Sequence, residues 1–120
     1  MAQRNAGITY KCGKASKYGN RKVTVFGITF DSKHEAERYL VLRADEIAGR
    51  ISDLRCQVPF ELIPPQLHGK WRATTYIADF TYRDSEGEFV VEDAKGFKTE
   101  VYRIKKKLML LKHGVVVREV

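Results

Sequence analysis

Three strand-like runs lie back to back between two helical segments, and this order limits the fold more than any other feature of the chain. The first helical segment is DSKHEAERYLVLRADEIAG. Ser32 suits an N-cap and Glu35 follows three residues on, which makes a capping box. Gly49 suits a C-terminal stop, so a helix is expected over about 33–48. ISDLRCQVPFELI then alternates, with Leu54, Cys56, Val58, Phe60 and Leu62 on one face and Arg55, Gln57, Pro59 and Glu61 on the other. Pro59 argues for an edge or a bulge there, and Pro64-Pro65 ends the strand. RATTYIADFTYRD is a second strand, rich in Thr, Tyr, Ile and Phe. After a DSEG turn, EFVVEDAK is a third, expected to form a hairpin with the second.

KTEVYRIKKKLMLLKHG is the second helix, with Val101, Ile104, Leu108 and Leu111 as its apolar stripe and Gly114 as its end. VVVREV is a short last strand, and a strand–helix–strand crossover of this kind is normally parallel. Ahead of all this, KVTVFGITF reads as a short hairpin turning at Gly27. Residues 1–20, rich in Gly, Ser, Asn and Lys, read as a flexible basic arm. The expectation is one α/β domain over 21–120, large enough for a single core.

Composition excludes several classes. No apolar run approaches the ~20 residues of a membrane span, and MAQRNAGITY lacks the apolar centre of a secretory signal. A soluble, intracellular protein is expected. Cys12 and Cys56 stand far apart, and His34, His68 and His113 show no metal-ligand spacing, so neither a zinc site nor a disulfide framework is expected. Charge is unevenly spread. Residues 1–30 hold six basic residues and no acid, residues 31–95 nine basic and thirteen acidic, and residues 96–113 six basic and one acidic. Two basic segments flanking an acidic middle suit a polyanionic partner, although a solvated surface with a basic tail would look the same.

The acids of the middle segment carry the chemistry. Asp79 lies inside the apolar run YIADF, where an ionised, unpaired carboxylate costs several kcal/mol if buried. On the next strand Asp93 and Lys95 share a face, and Glu92 points the other way. Asp79 and Asp93, on adjacent strands, can converge on one hard cation such as Mg²⁺. Lys95 would then neutralise a phosphate or position a water. The rival is a structural ion pair of either aspartate with Lys95.

The order helix, three strands, helix, strand, with YIADF on the second strand and EDAKG on the third, resembles the PD-(D/E)XK, or restriction-endonuclease-like, nuclease superfamily. Asp79 matches its first acid and Asp93-Ala94-Lys95 its acid-x-Lys. Ala78 replaces the usual proline, and the second acid is Asp rather than the commoner Glu. SKHEAERYLVL matches the superfamily's helix glutamate at Glu35, for which the capping box is the rival explanation and Glu37 the fallback. Gln57 fits a glutamine that the superfamily often has on its first core strand, and is a weak site candidate. From about residue 17 to the end, the chain is similar to a small family found mainly in bacteriophage genomes.

The resemblance implies a mixed sheet flanked by helices and a Mg²⁺-dependent DNA endonuclease, with Mn²⁺ as a substitute. Glu35, Asp79 and Asp93 would hold metal and Lys95 would assist the attack. It further implies selectivity for DNA structure (branched DNA, Holliday junctions) in phage recombination or packaging, a homodimer to make two nicks, a location in the cytoplasm of a bacterial host, and no small-molecule cofactor. Lys98, Arg103, Lys105, Lys106 and Lys107 on the second helix, with Lys14, Lys17, Arg21 and Lys22 at the N-terminal end, would contact phosphates without reading sequence. Tyr76, Tyr82 and Tyr102 read as packing residues rather than base-stacking platforms. The alternatives are a non-catalytic nucleic-acid-binding protein of the same fold, and a basic RNA- or ribosome-associated protein.

Overall fold

The computed structural model describes residues 21–94 and 98–120. The basic arm, with Lys14 and Lys17, and the motif lysine Lys95 lie outside the described residues. A short hairpin, β1 (Val23–Val25) and β2 (Ile28–Phe30), precedes helix α1 (Lys33–Ile47). Strands β3 (Ser52–Ile63), β4 (Thr74–Arg83) and β5 (Phe89–Asp93), helix α2 (Glu100–His113) and strand β6 (Arg118–Glu119) follow. The expected order holds throughout. Phe26 and Gly27 both have positive φ, 50° and 79°, as a two-residue turn matched to strand twist requires.

Strands β3 to β6 form one sheet in chain order. β3–β4 and β4–β5 pair antiparallel, and β5–β6 pair parallel, as the crossover through α2 demands. Val90 and Val91, neighbours on β5, belong to two different cores. One core holds Ala36, Tyr39 and Leu42 of α1 with Phe30 of the hairpin; the other holds Tyr102 and Met109 of α2. Adjacent strand residues point to opposite faces, so the helices cover opposite faces of the sheet.

Simple alternation fails at one row of the sheet. Leu54 and Cys56 pack on the α1 side, but Phe60 and Leu62, of the same parity, pack on the α2 side. On β4, Phe80 and Tyr82 face α1, whereas Tyr76 and Ala78 face α2. The switch falls between the pairs Cys56↔Phe80 and Val58↔Ala78, that is, at Gln57 and Asp79. Gln57 there has φ 56°, a left-handed conformation that rotates the following strand residues. The expected single face from Leu54 to Leu62 is therefore split in two, and Gln57, expected on the polar face, is buried.

Helix α2 also departs from expectation. It begins at Thr99, whose hydroxyl accepts from Tyr102 N–H at 3.0 Å, and ends at Gly114 in the left-handed conformation. Its buried residues are Tyr102 and Met109, two turns apart. Of the expected stripe, only Leu108 packs against the core; Val101, Ile104 and Leu111 are exposed. The aromatic and the methionine fill more of the space over the sheet than the aliphatic stripe would, and they set the helix rotation. No helix among the described residues is long and apolar enough to cross a membrane.

Candidate active site

The row at which the strands change face carries the predicted acids. Continuing the β3–β4 register past Cys56↔Phe80 places Gln57 opposite Asp79. Continuing the β4–β5 register past Phe80↔Glu92 places Asp79 opposite Asp93. Asp93 in turn pairs with Glu119 on β6. The β4–β5 ladder ends at Phe80↔Glu92, and beyond it a side chain replaces the backbone: Asp79 Oδ2 accepts from Ala94 N–H at 2.7 Å. Both aspartates are buried, Asp79 at 6% exposure and Asp93 at 0%.

Glu35 joins this row from α1. Ser32 caps the helix by accepting from Glu35 N–H at 3.2 Å, while Glu35 Oε1 accepts from Gln57 Nε2 at 2.7 Å inside the protein. The cap and an inward role for the carboxylate thus coexist. Glu37, the fallback, faces solvent and lies 3.9 Å from Lys33. Gln57 Oε1 is buried with no hydrogen-bond partner among the described residues. A buried amide oxygen in that state, on a residue with a left-handed backbone, is the kind of local cost that marks functional sites.

The donors are all hard oxygens, which suits Mg²⁺ or Mn²⁺ rather than zinc. Among the described residues no group of three or more His, Cys, Asp or Glu side chains forms a metal cage. Mg²⁺ seldom needs one, since one or two carboxylates with waters and phosphate oxygens suffice. Asp79 and Asp93 are the two buried carboxylates of the row. Glu35 reaches the row through Gln57.

Three tyrosines that read as packing residues each donate to a carboxylate. Tyr76 donates to Asp93 Oδ2 at 2.7 Å, Tyr102 to Glu119 Oε2 at 2.9 Å, and Tyr82 to Glu92 Oε2. Burial first, and then the neighbouring Asp93, push the Tyr76 phenol far above its usual range. Tyr102 is raised too, again chiefly by burial, and burial lifts Tyr82 to about 12. No sequence signal identified Tyr76, because its approach to Asp93 depends on the change of face at Asp79.

On the opposite face of β5, Arg38 grips Glu92 with two bonds of 2.9 and 2.6 Å. That contact, foremost, raises the Arg38 pKa. Arg118 adds a 3.3 Å bond to the Tyr82 hydroxyl. Glu92, the acid expected to point away from Asp93, does so.

The basic face is partly neutralised, and Lys98, expected on the helix, lies just before its Thr99 cap. Lys106 and Lys98 lie 2.8 and 3.3 Å from Glu119. Arg103 and Lys107 are exposed and Lys105 half-buried, without an ion pair among the described residues. Arg21 is exposed, and Lys22 lies 3.1 Å from Asp31. Hydrogen bonding from Lys106 is the main cause that lowers Glu119 to about 2 from its usual 4.5. A carboxylate depressed on folding stabilises the fold above its unfolded pKa, and that contribution fades as pH falls from about 4.5 toward 2. Replacing Glu119 with Gln should therefore flatten the acid limb of a stability–pH curve over that window and leave its slope near neutrality unchanged. Chemical denaturation at stepped pH reads this directly.

Fold and site together define a mixed α/β protein with two buried aspartates, Asp79 and Asp93, on neighbouring strands of its sheet. The chain belongs to the family described as protein of unknown function (DUF1064), whose model matches residues 15–119. No curated protein and no solved structure matches it.

Proposed function

We propose that the protein is a metal-dependent DNA endonuclease of the PD-(D/E)XK type, selective for DNA structure such as branches and junctions. One observation carries this reading: Asp79 and Asp93 lie in register on neighbouring strands, both buried, where the β4–β5 ladder stops. Asp79 and Asp93 would hold Mg²⁺, with Glu35 as the third acid and Lys95 beside the scissile phosphate. Bound Mg²⁺ would lower the pKa of the attacking water and offset the charge developing on the phosphoryl oxygens. Lys95 would donate to that same charge. Arg103, Lys105 and Lys107 would contact the DNA backbone, joined by Lys98 and Lys106 if phosphate displaces Glu119 from them. Resolution of a junction takes two nicks, so the working form would be a homodimer in the cytoplasm of a bacterial host.

A second reading, a nucleic-acid-binding protein without catalysis, draws on the bonds from Ala94 N–H to Asp79 and from Tyr76 to Asp93, which satisfy carboxylate oxygens without a metal. A cleavage panel separates the two. Four-way junction, flap, single strand, linear duplex and supercoiled plasmid would be incubated with Mg²⁺, Mn²⁺ or EDTA. Cutting of the junction or flap in either metal, and none in EDTA, is the expected result. Binding of all substrates with no cutting in either metal would establish the second reading instead.

A further inference from the structure

We infer that Tyr76 is a positioning residue for the metal site, its hydroxyl fixing the rotation of the Asp93 carboxylate so that the other oxygen keeps one orientation toward the cation. The inference rests on the metal-site reading proposed above and adds a residue to it. Tyr76 is 3% exposed and donates to a fully buried carboxylate at 2.7 Å. That length is a normal one for an oxygen donor on a carboxylate. The ring itself is held: its centroid lies 6.4 Å from that of Tyr102 on α2. The Tyr102 hydroxyl is tied to Glu119, the register partner of Asp93 on β6. Asp93 is thus gripped through its backbone by β6, where Val120 N–H donates to its carbonyl at 3.0 Å, and through its side chain by β4. A carboxylate rotates freely about its last bond unless a donor holds one oxygen. Donors that orient ligating carboxylates commonly contribute 10–100-fold to metal affinity.

The test compares the full-length wild type with Tyr76→Phe and Tyr102→Phe by calorimetric titration of Mn²⁺. Both substitutions remove one hydroxyl and keep the ring, but the Tyr76 hydroxyl donates to Asp93 and the Tyr102 hydroxyl to Glu119. The expected result is Mn²⁺ binding weakened roughly tenfold or more by Tyr76→Phe and by clearly less in Tyr102→Phe, whose hydroxyl donates to Glu119 instead. Cleavage by Tyr76→Phe should recover as metal concentration rises, since Tyr76 would set metal affinity and not touch DNA. Equal affinity in Tyr76→Phe and wild type would overturn the inference while leaving the metal site intact. So would an equal loss in both variants, which would point to general loosening. A wild type that takes up no Mn²⁺ would overturn the metal site itself. Should Tyr76→Phe not fold, Mg²⁺ titration of uniformly ¹⁵N-labelled wild type carrying ¹³C-labelled tyrosine serves instead. The Tyr76 ring signals must shift over the same Mg²⁺ range as the Asp93 amide, and stationary signals would refute the role.

Discussion

Arg38→Ala is expected to cost about 3–5 kcal/mol of folding stability, because it strips a half-buried cation from a fully buried carboxylate. Glu92 is completely buried, and Arg38 meets both of its oxygens. Without the guanidinium, Tyr82 remains on Oε2, and Arg118 reaches only the Tyr82 hydroxyl. One phenol does not compensate a carboxylate in the middle of a sheet. The pair joins α1 to β5, so its loss should loosen the α1-side core as a unit. For a domain of this size the melting temperature should fall by on the order of 15 °C or more. The double variant Arg38→Met/Glu92→Leu should recover only part of the loss, because it removes both charges together but leaves the buried Tyr82 hydroxyl without its acceptor. Urea unfolding followed by circular dichroism gives the three values. A single-variant loss below ~1 kcal/mol would mean that Glu92 is solvated or neutral in the native state.

The second large effect concerns catalysis. Asp93→Asn should lower metal-dependent cleavage by about 10³-fold, equivalent to roughly 4 kcal/mol of lost transition-state stabilisation. Asparagine is the informative choice. Its carbonyl oxygen can still accept from Tyr76, so the buried hydroxyl keeps a partner and the fold is spared the ~1–3 kcal/mol of an orphaned donor. What disappears is the negative charge. Melting temperature should therefore change little in EDTA, while the Mn²⁺ stabilisation expected of the wild type under the proposed reading should vanish, as linkage requires when binding is lost. Lys95→Ala should also abolish most cleavage, by roughly 10²-fold, yet keep that Mn²⁺ stabilisation, because it would serve phosphate and water rather than metal. Cleavage by Asp93→Asn within tenfold of wild type would remove Asp93 from the chemistry and favour the binding-protein reading.

Much of the architecture follows from local sequence. The Ser32 cap, the Gly49 and Gly114 stops and the Phe26-Gly27 turn are decided by the conformations that a few residues prefer, and each appears where local chemistry put it. The opposition of Asp93 and Glu92 follows from the two-residue period of an unbroken strand, and β5 is unbroken. The placement of Asp79 and Asp93 on adjacent strands follows from the short DSEG turn between them.

Tertiary structure decided the rest. The two-residue period assumes a regular backbone, and the left-handed conformation at Gln57 cancels it from that residue onward. Only the folded sheet shows Gln57 buried against Glu35 and, by the change of face at Asp79 on β4, Tyr76 turned toward Asp93. On α2 the sequence offers two apolar choices, Val101-Ile104-Leu108-Leu111 and Tyr102-Met109, and local periodicity does not rank them. The space above the sheet does, and it takes the second. Arg38 and Glu92 are 54 residues apart, and no local preference links them. Their pairing exists because the topology lays α1 across one face of β5, where a fully buried carboxylate requires a cation.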